Sequence, residues 1–250
     1  MSGAGATAAI LIIGNEILSG RTQDVNVKFI AGRLSARGIK LREVRVVPDE
    51  EDAIIAAARA LSGAYTYVFS TGGIGPTHDD ITAACMAKAF GATLEINAEA
   101  KARMAARCAE RGVPLTEGRL RMTRVPAGAA LIDNPVSIAP GFKISNVYVM
   151  AGIPDIMQAM FLTLEPGLAQ GAPVLSRSVS GRMLESEIAA PLEEIQKQYP
   201  DVDIGSYPAL GKDDPHVSIV LRAVDEQRLS AAMELVLEMA KGFDPAVAVI

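Results

Sequence analysis

Six consecutive apolar residues, Ala8-Ala9-Ile10-Leu11-Ile12-Ile13, closed by Gly14, restrict the fold of this chain more than any other stretch. Successive side chains of a strand point to opposite faces, so a strand that is apolar at every position must be covered on both. That places it centrally in a parallel sheet with helices on either side. The run has strand length, and residues 1–6 before it carry no basic segment, so neither a membrane span nor a signal peptide is expected.

Two further strand–helix units follow. Residues 39–47 alternate, as suits a strand near the sheet edge, and Tyr65-Thr66-Tyr67-Val68-Phe69-Ser70 reads as a buried strand. Val27, Ile30, Ala31 and Leu34 give the first helix its apolar stripe behind a capping Asp24, and Gly38 ends it. Ile54, Ile55, Ala58 and Leu61 give the second, with Asp49 as its expected N-cap. Three such units joined by right-handed crossovers predict an α/β fold: a doubly wound, mostly parallel sheet with helices on both faces. Helices are predicted over 97–111, 116–123 and 154–164, turns and extended chain over 131–142, and a strand over 146–150. Beyond a Gly/Pro-rich linker the pattern restarts as strand 174–180, helix 186–199, strands 203–207 and 217–223, and helix 225–241. This predicts a small α+β domain with an antiparallel sheet. The expected division is 1–168 and 174–250.

Chemistry concentrates in Gly72-Gly73-Ile74-Gly75-Pro76-Thr77-His78-Asp79-Asp80, between a predicted strand and a helix carrying Ile81, Ala84, Cys85 and Ala89. Three glycines in four positions allow positive φ and let a ligand approach bare backbone, and a following helix start attracts anions. The spacing matches neither a dinucleotide fingerprint nor a Walker A loop. One aspartate suffices to cap a helix; the second is surplus. Two carboxylates would repel a phosphate unless a hard cation lay between them, and Mg²⁺ binds through one or two carboxylates plus phosphate oxygens and water. Asp80 is the expected chief metal ligand, with Asp79 a second ligand or the group that orients an attacking water. The other reading is a capped helix with both aspartates solvated.

Net charge is −5, Trp is absent and Lys and Arg form no stripe, which disfavours a nucleic-acid surface. Arg119, Arg121 and Arg124 are the one dense basic stretch, read as a solvated face or as a grip on a phosphate. Cys85 and Cys108 lie among helical alanines and are expected as buried, reduced thiols of a cytoplasmic protein. Neither cysteine nor histidine is placed for nucleophilic catalysis.

Three separated motifs carry a resemblance: Gly14-Asn15-Glu16-Ile17-Leu18-Ser19-Gly20, the Gly72–Asp80 stretch with Ile81-Thr82, and Asn134-Pro135-Val136 with Ala139-Pro140-Gly141-Phe142. In this order they resemble the molybdopterin-binding (MoCF biosynthesis) domain family in its CinA-like branch, which includes the N-terminal domain of eukaryotic FAD synthase. The resemblance is close over the first two thirds of the chain. It implies ligand contacts at Thr71, Gly72, Gly73, Gly75, Thr77, Asn26, Asn134, Pro140 and Gly141, with Glu16 holding an outer-shell water. Where the family pattern often has Gly-Thr, this chain has Ser137-Ile138. The implied activity is hydrolysis of a nucleotide diphosphate linkage, of ADP-ribose or FAD type, with Mg²⁺, Mn²⁺ or Co²⁺. The alternatives are molybdopterin binding or adenylylation, or a non-catalytic pterin- or nucleotide-binding module. A homodimer is implied as well. The second domain is similar to the small KH-like domain of the branch, but it lacks the Gly-x-x-Gly clamp of an RNA-binding KH fold. Its Lys212 or His216 is a candidate to complete a phosphate site, or else marks a solvated hairpin tip.

Overall fold

The computed structural model describes residues 5–137, 139–209 and 216–249. The chain divides into two compact units, Met1–Gly171 and Ala172–Ile250. The first runs β1 (Thr7–Ile13), α1 (Asn15–Leu18), α2 (Asn26–Ala36), β2 (Lys40–Val47), α3 (Glu51–Ala64), β3 (Tyr67–Thr71) and α4 (Thr82–Ala89). It continues through β4 (Leu94–Ile96), α5 (Ala98–Glu110), α6 (Glu117–Arg121), β5 (Arg124–Pro126), β6 (Ala130–Ile132), β7 (Gly141–Ile144), β8 (Val147–Met150) and α7 (Pro154–Leu164).

Six strands form one sheet in the order β2-β1-β3-β8-β7-β6. The first four are parallel, and β7 runs against both its neighbours. β1 is central, as its composition requires, and its side chains sort between two cores. Ala9, Leu11 and Ile13 pack with Ile54 and Leu61 of α3 and Met86 of α4. Ala8, Ile10 and Ile12 pack on the other face with Ile30 and Leu34 of α2 and Phe161 of α7. Each fully buried Ile or Leu contributes about 1.5–3 kcal/mol, so this one strand anchors both layers. β2 lies at the edge with alternating exposure, as its pattern predicts. Below the sheet, the Arg33 guanidinium on α2 forks both oxygens of the buried Glu165 carboxylate and ties α2 to the chain just after α7.

Five short elements escape the sequence reading. β4 and β5 pair antiparallel outside the main sheet, β6 and β7 extend it within residues read as turns, and α1 occupies a predicted loop. Segments of three or four residues are too short for periodicity to register.

The second unit contains β9 (Leu175–Gly181), α8 (Glu185–Gln198), β10 (Asp203–Ala209), β11 (His216–Ala223), α9 (Glu226–Lys241) and β12 (Ala248–Val249). Its sheet, β10-β11-β9-β12, is antiparallel throughout. Val179, Ile219 and Leu221 pack beneath Ile188 and Leu192 of α8 and Val236 of α9. Asp225 caps α9 by accepting the N–H groups of Gln227 and Arg228. Among the described residues, no helix is long and apolar enough to cross a membrane.

Candidate functional site

The crevice follows from topology. After β1 the chain turns through α2 to β2 on one side, and α3 then returns it to β3 on the other side of β1. The connections leaving β1 and β3 therefore part at their carboxyl ends, where open α/β sheets bind ligands. Gly72, the first residue past β3, has φ +100°, and a Cβ there would fall on the Ile13 carbonyl oxygen. Only glycine lets the loop cross the end of β1 this closely. Its N–H donates to Met150 O at 3.1 Å, so the ends of β1, β3 and β8 meet at this residue.

A cleft of about 630 Å³ opens above, within the range of small-molecule sites. Four carboxylates line it: Glu16 after β1, Asp49 after β2, and Asp79 and Asp80 after β3. Gly72, Gly73, Gly75 and Asn134 line it as well. The two aspartates do not cap α4, contrary to expectation. That helix begins at Thr82, whose N–H donates to Gly73 O and whose hydroxyl donates to Gly72 O, both at 3.0 Å. Asp80 instead closes a turn of its own, one oxygen accepting the Thr77 N–H at 2.8 Å and the Thr77 hydroxyl at 2.5 Å. The hydroxyl has a single proton, and this geometry gives it to Asp80. Its nearness, together with Asp79's own backbone N–H, also holds the Asp79 carboxyl below the usual aspartate range. The Asp79 carboxyl is thus favoured as an anion beside bare backbone.

Asp49 likewise does not cap its helix. The N-cap of α3 is Glu50, while Asp49 Oδ2 accepts the Asn15 N–H at 2.8 Å and orders the chain that carries Glu16. Local order alone points to a cap; the signal for its actual role is its position at the carboxyl end of a predicted strand. Asp24 does support α2, accepting the Val27 N–H at 2.9 Å.

The remaining expected residues fall into two groups. Thr71 is buried at the end of β3, and Thr77 sits on the loop without lining the cleft. Asn26 is buried and donates to Gly152 O at 2.9 Å, and its Oδ1 has no partner. Asn134 spends its amide on its own turn, donating to Ser137 and Ala139 and accepting from Val136 and Ser137. Gly141 lies inside β7, where a Cβ would meet Val149 O and Met160, so sheet packing accounts for it. Lys212 and Ile138 lie outside the described residues. His216 stands in β11, its Nε2 2.7 Å from Ser180 Oγ.

Pro140 lines a second, smaller cavity of about 200 Å³ behind the loop, together with His78, Arg121 and Arg124. The three arginines of the basic stretch are all engaged. Arg119 donates to Pro114 O, Arg121 to Thr77 O at 2.6 Å, and Arg124 to Glu117 at 2.6 Å.

Residues 9–170 match the family described as "Probable molybdopterin binding domain", which is most of the chain. The chain belongs to that family. A protein of Pyrobaculum calidifontis is 36% identical over 94% of this chain and 96% of its own length. Protein LS215_2186 of Saccharolobus islandicus is 35% identical over 80% of each chain. Among solved structures, the protein CinA of Thermoplasma acidophilum, described as of unknown function, superposes with a TM-score of 0.60 at 35% identity. It covers 65% of this chain and 98% of its own. That likeness places the chain in the CinA-like branch. Residues 173–243, within the second unit, match the family described as "FAD synthase, middle domain".

Proposed function

We propose that the first unit hydrolyses a nucleotide diphosphate linkage, of ADP-ribose or FAD type, with a divalent cation. The observation that carries this reading is that Glu16, Asp49, Asp79 and Asp80 all line one cleft, beside the glycine backbone at the sheet's switch point. Four carboxylates lining one cleft repel a diphosphate unless a cation mediates. Among the described residues no three His, Cys, Asp or Glu side chains are grouped so that they could hold a metal ion by themselves. In this reading Mg²⁺, or Mn²⁺ or Co²⁺ in its place, would be held by one or two hard carboxylates and completed by phosphate oxygens and water. Asp80, with one oxygen committed to Thr77 and the other left for a cation, and Asp79 are the residues that would hold it. When bound, the cation supplies Lewis acidity toward the phosphoryl oxygens and lowers the pKa of bound water.

The residues of the chain divide the remaining work. Glu16 holds and orients water at the cleft, and Asp49 fixes the chain on which Glu16 stands. Gly72 and Gly73 let the diphosphate approach the backbone. Water adds to one phosphorus, the bridging P–O bond breaks, and two phosphomonoesters leave, AMP among them. The family's description favours a second reading, molybdopterin binding or adenylylation at the same cleft. Incubation with ADP-ribose, FAD and NAD in the presence of Mg²⁺, Mn²⁺ or Co²⁺ separates them. AMP release supports hydrolysis; no AMP with any metal, alongside tight molybdopterin binding, supports the second reading.

A further inference from the structure

The two cavities of the first unit share a wall. Ile74, Gly75, Asp80 and Met122 line both, so the loop that bears the catalytic carboxylates is a ridge with a hollow on each side. Their charges are opposed. The larger cleft carries Glu16, Asp49 and Asp79, whereas the smaller, beyond the shared Asp80, carries the guanidinium groups of Arg121 and Arg124 over an apolar floor of Leu94, Val125 and Phe142. A molecule built on a diphosphate linkage has two arms, and cleavage at Asp80 requires a place for each.

We infer that the smaller cavity is an anion-recognising subsite that takes the distal arm of the substrate as a compact phosphorylated group, with Arg121 as its principal contact. This rests on the diphosphate reading above. Arg121 uses Nη1 to hold Thr77 O at 2.6 Å, and Thr77 in turn holds Asp80. A guanidinium has five N–H donors in a rigid fork, so several remain to meet phosphate oxygens from the cavity side. Arg124 is already paired with Glu117 and is the weaker candidate. At about 200 Å³ the hollow lies below the roughly 300–1,000 Å³ of sites that take a drug-sized ligand. That suits a compact phosphorylated group better than a whole nucleotide.

Ribose 5-phosphate tests the subsite without turnover or metal. Titrated into the intact protein and followed by amide chemical shifts, it should perturb His78, Leu94, Arg121 and Val125 before residues of the larger cleft, and ribose should not. Arg121→Gln keeps a donor for Thr77 O but removes the charge. It should weaken ribose 5-phosphate binding about tenfold and raise KM more than it lowers kcat, with an unchanged melting temperature. Arg121→Ala should add a loss of kcat through Asp80. Failure of ribose 5-phosphate to bind, perturbations confined to the larger cleft, or equal affinity in Arg121→Gln would overturn the inference. If AMP is released with an unaltered KM in Arg121→Gln, the subsite falls and hydrolysis stands. If ribose 5-phosphate binds as described but no AMP ever appears, the subsite stands and hydrolysis falls.

Discussion

The backbone N–H of Asn15 donates to the Asp49 carboxylate at 2.8 Å, fastening the chain just past β1 to the chain just past β2. The two residues lie 34 apart in sequence and both border the acidic cleft through Asp49 itself and Glu16, the neighbour of Asn15. Asp49→Asn retains an acceptor for this bond, and Asp49→Ala does not. In Asp49→Ala the Asn15 amide should exchange with solvent about fivefold faster, the equivalent of one hydrogen bond of roughly 1 kcal/mol. Turnover should fall further in the alanine than in the asparagine variant. Amide exchange read by NMR, beside the AMP assay, checks both.

Asp80→Asn should abolish most turnover, by about a hundredfold or more, while leaving the melting temperature within about 2 °C. The amide oxygen of Asn can still accept the Thr77 N–H and hydroxyl, so the turn survives, but the charge that would hold a cation is gone. Thr77→Val should cost only a few-fold, because the backbone donor to Asp80 remains. Equal rates in wild type and Asp80→Asn would remove Asp80 from the reaction.

Gly72→Ala and Gly20→Ala form a matched pair. Both glycines have positive φ, +100° and +71°, yet a Cβ at Gly20 meets nothing within 4 Å and one at Gly72 meets the Ile13 carbonyl. Gly20→Ala should cost about 1 kcal/mol, the strain of left-handed backbone alone. Gly72→Ala should cost about 3 kcal/mol or more and disturb the cleft, since the loop must move off β1. Denaturant midpoints of the two variants give the comparison directly.

Burial pushes the Cys85 thiol up to about 11, with Glu51 adding to the shift. An unfolded cysteine ionises near about 8.5. Between these values the unfolded chain sheds a proton that the folded chain keeps, so stability is full below about 8.5 and falls as pH rises through that window. Urea midpoints from pH 7 to 10 should decline more steeply for wild type than for Cys85→Ala. Thiol labelling of native protein at pH 8 should be correspondingly slow, since Cys85 is fully buried.

The α/β architecture was legible because its evidence is periodic and local. An all-apolar strand is covered on both faces and so lies centrally, and the glycines before Asp79-Asp80 mark a turn between strand and helix. What those acids do was not legible from their order alone. Asp79 and Asp80 precede a helix and look like caps, but Thr77 captures Asp80 first. The Thr-x-x-Asp spacing that permits this matches the Thr-x-x-acid spacing of a capping box, here closing a turn that does not continue into α4. Asp49 was misassigned for the opposite reason. Its partner Asn15 is distant in sequence, and only the parallel register of β1 with β2 brings them together. The second cavity depends on β5 and β7, strands of three and four residues that leave no repeat to detect.

The even and odd positions of β1 serve separate interiors, one beneath α2 and α7 and one beneath α3 and α4. Inserting a single residue midway along it would turn every later side chain toward the opposite layer, exchanging the contents of both at once. Selection therefore has almost no freedom within the six positions from Ala8 to Ile13. Novelty in this scaffold has to be written after Ile13, in the segments that never enter either interior.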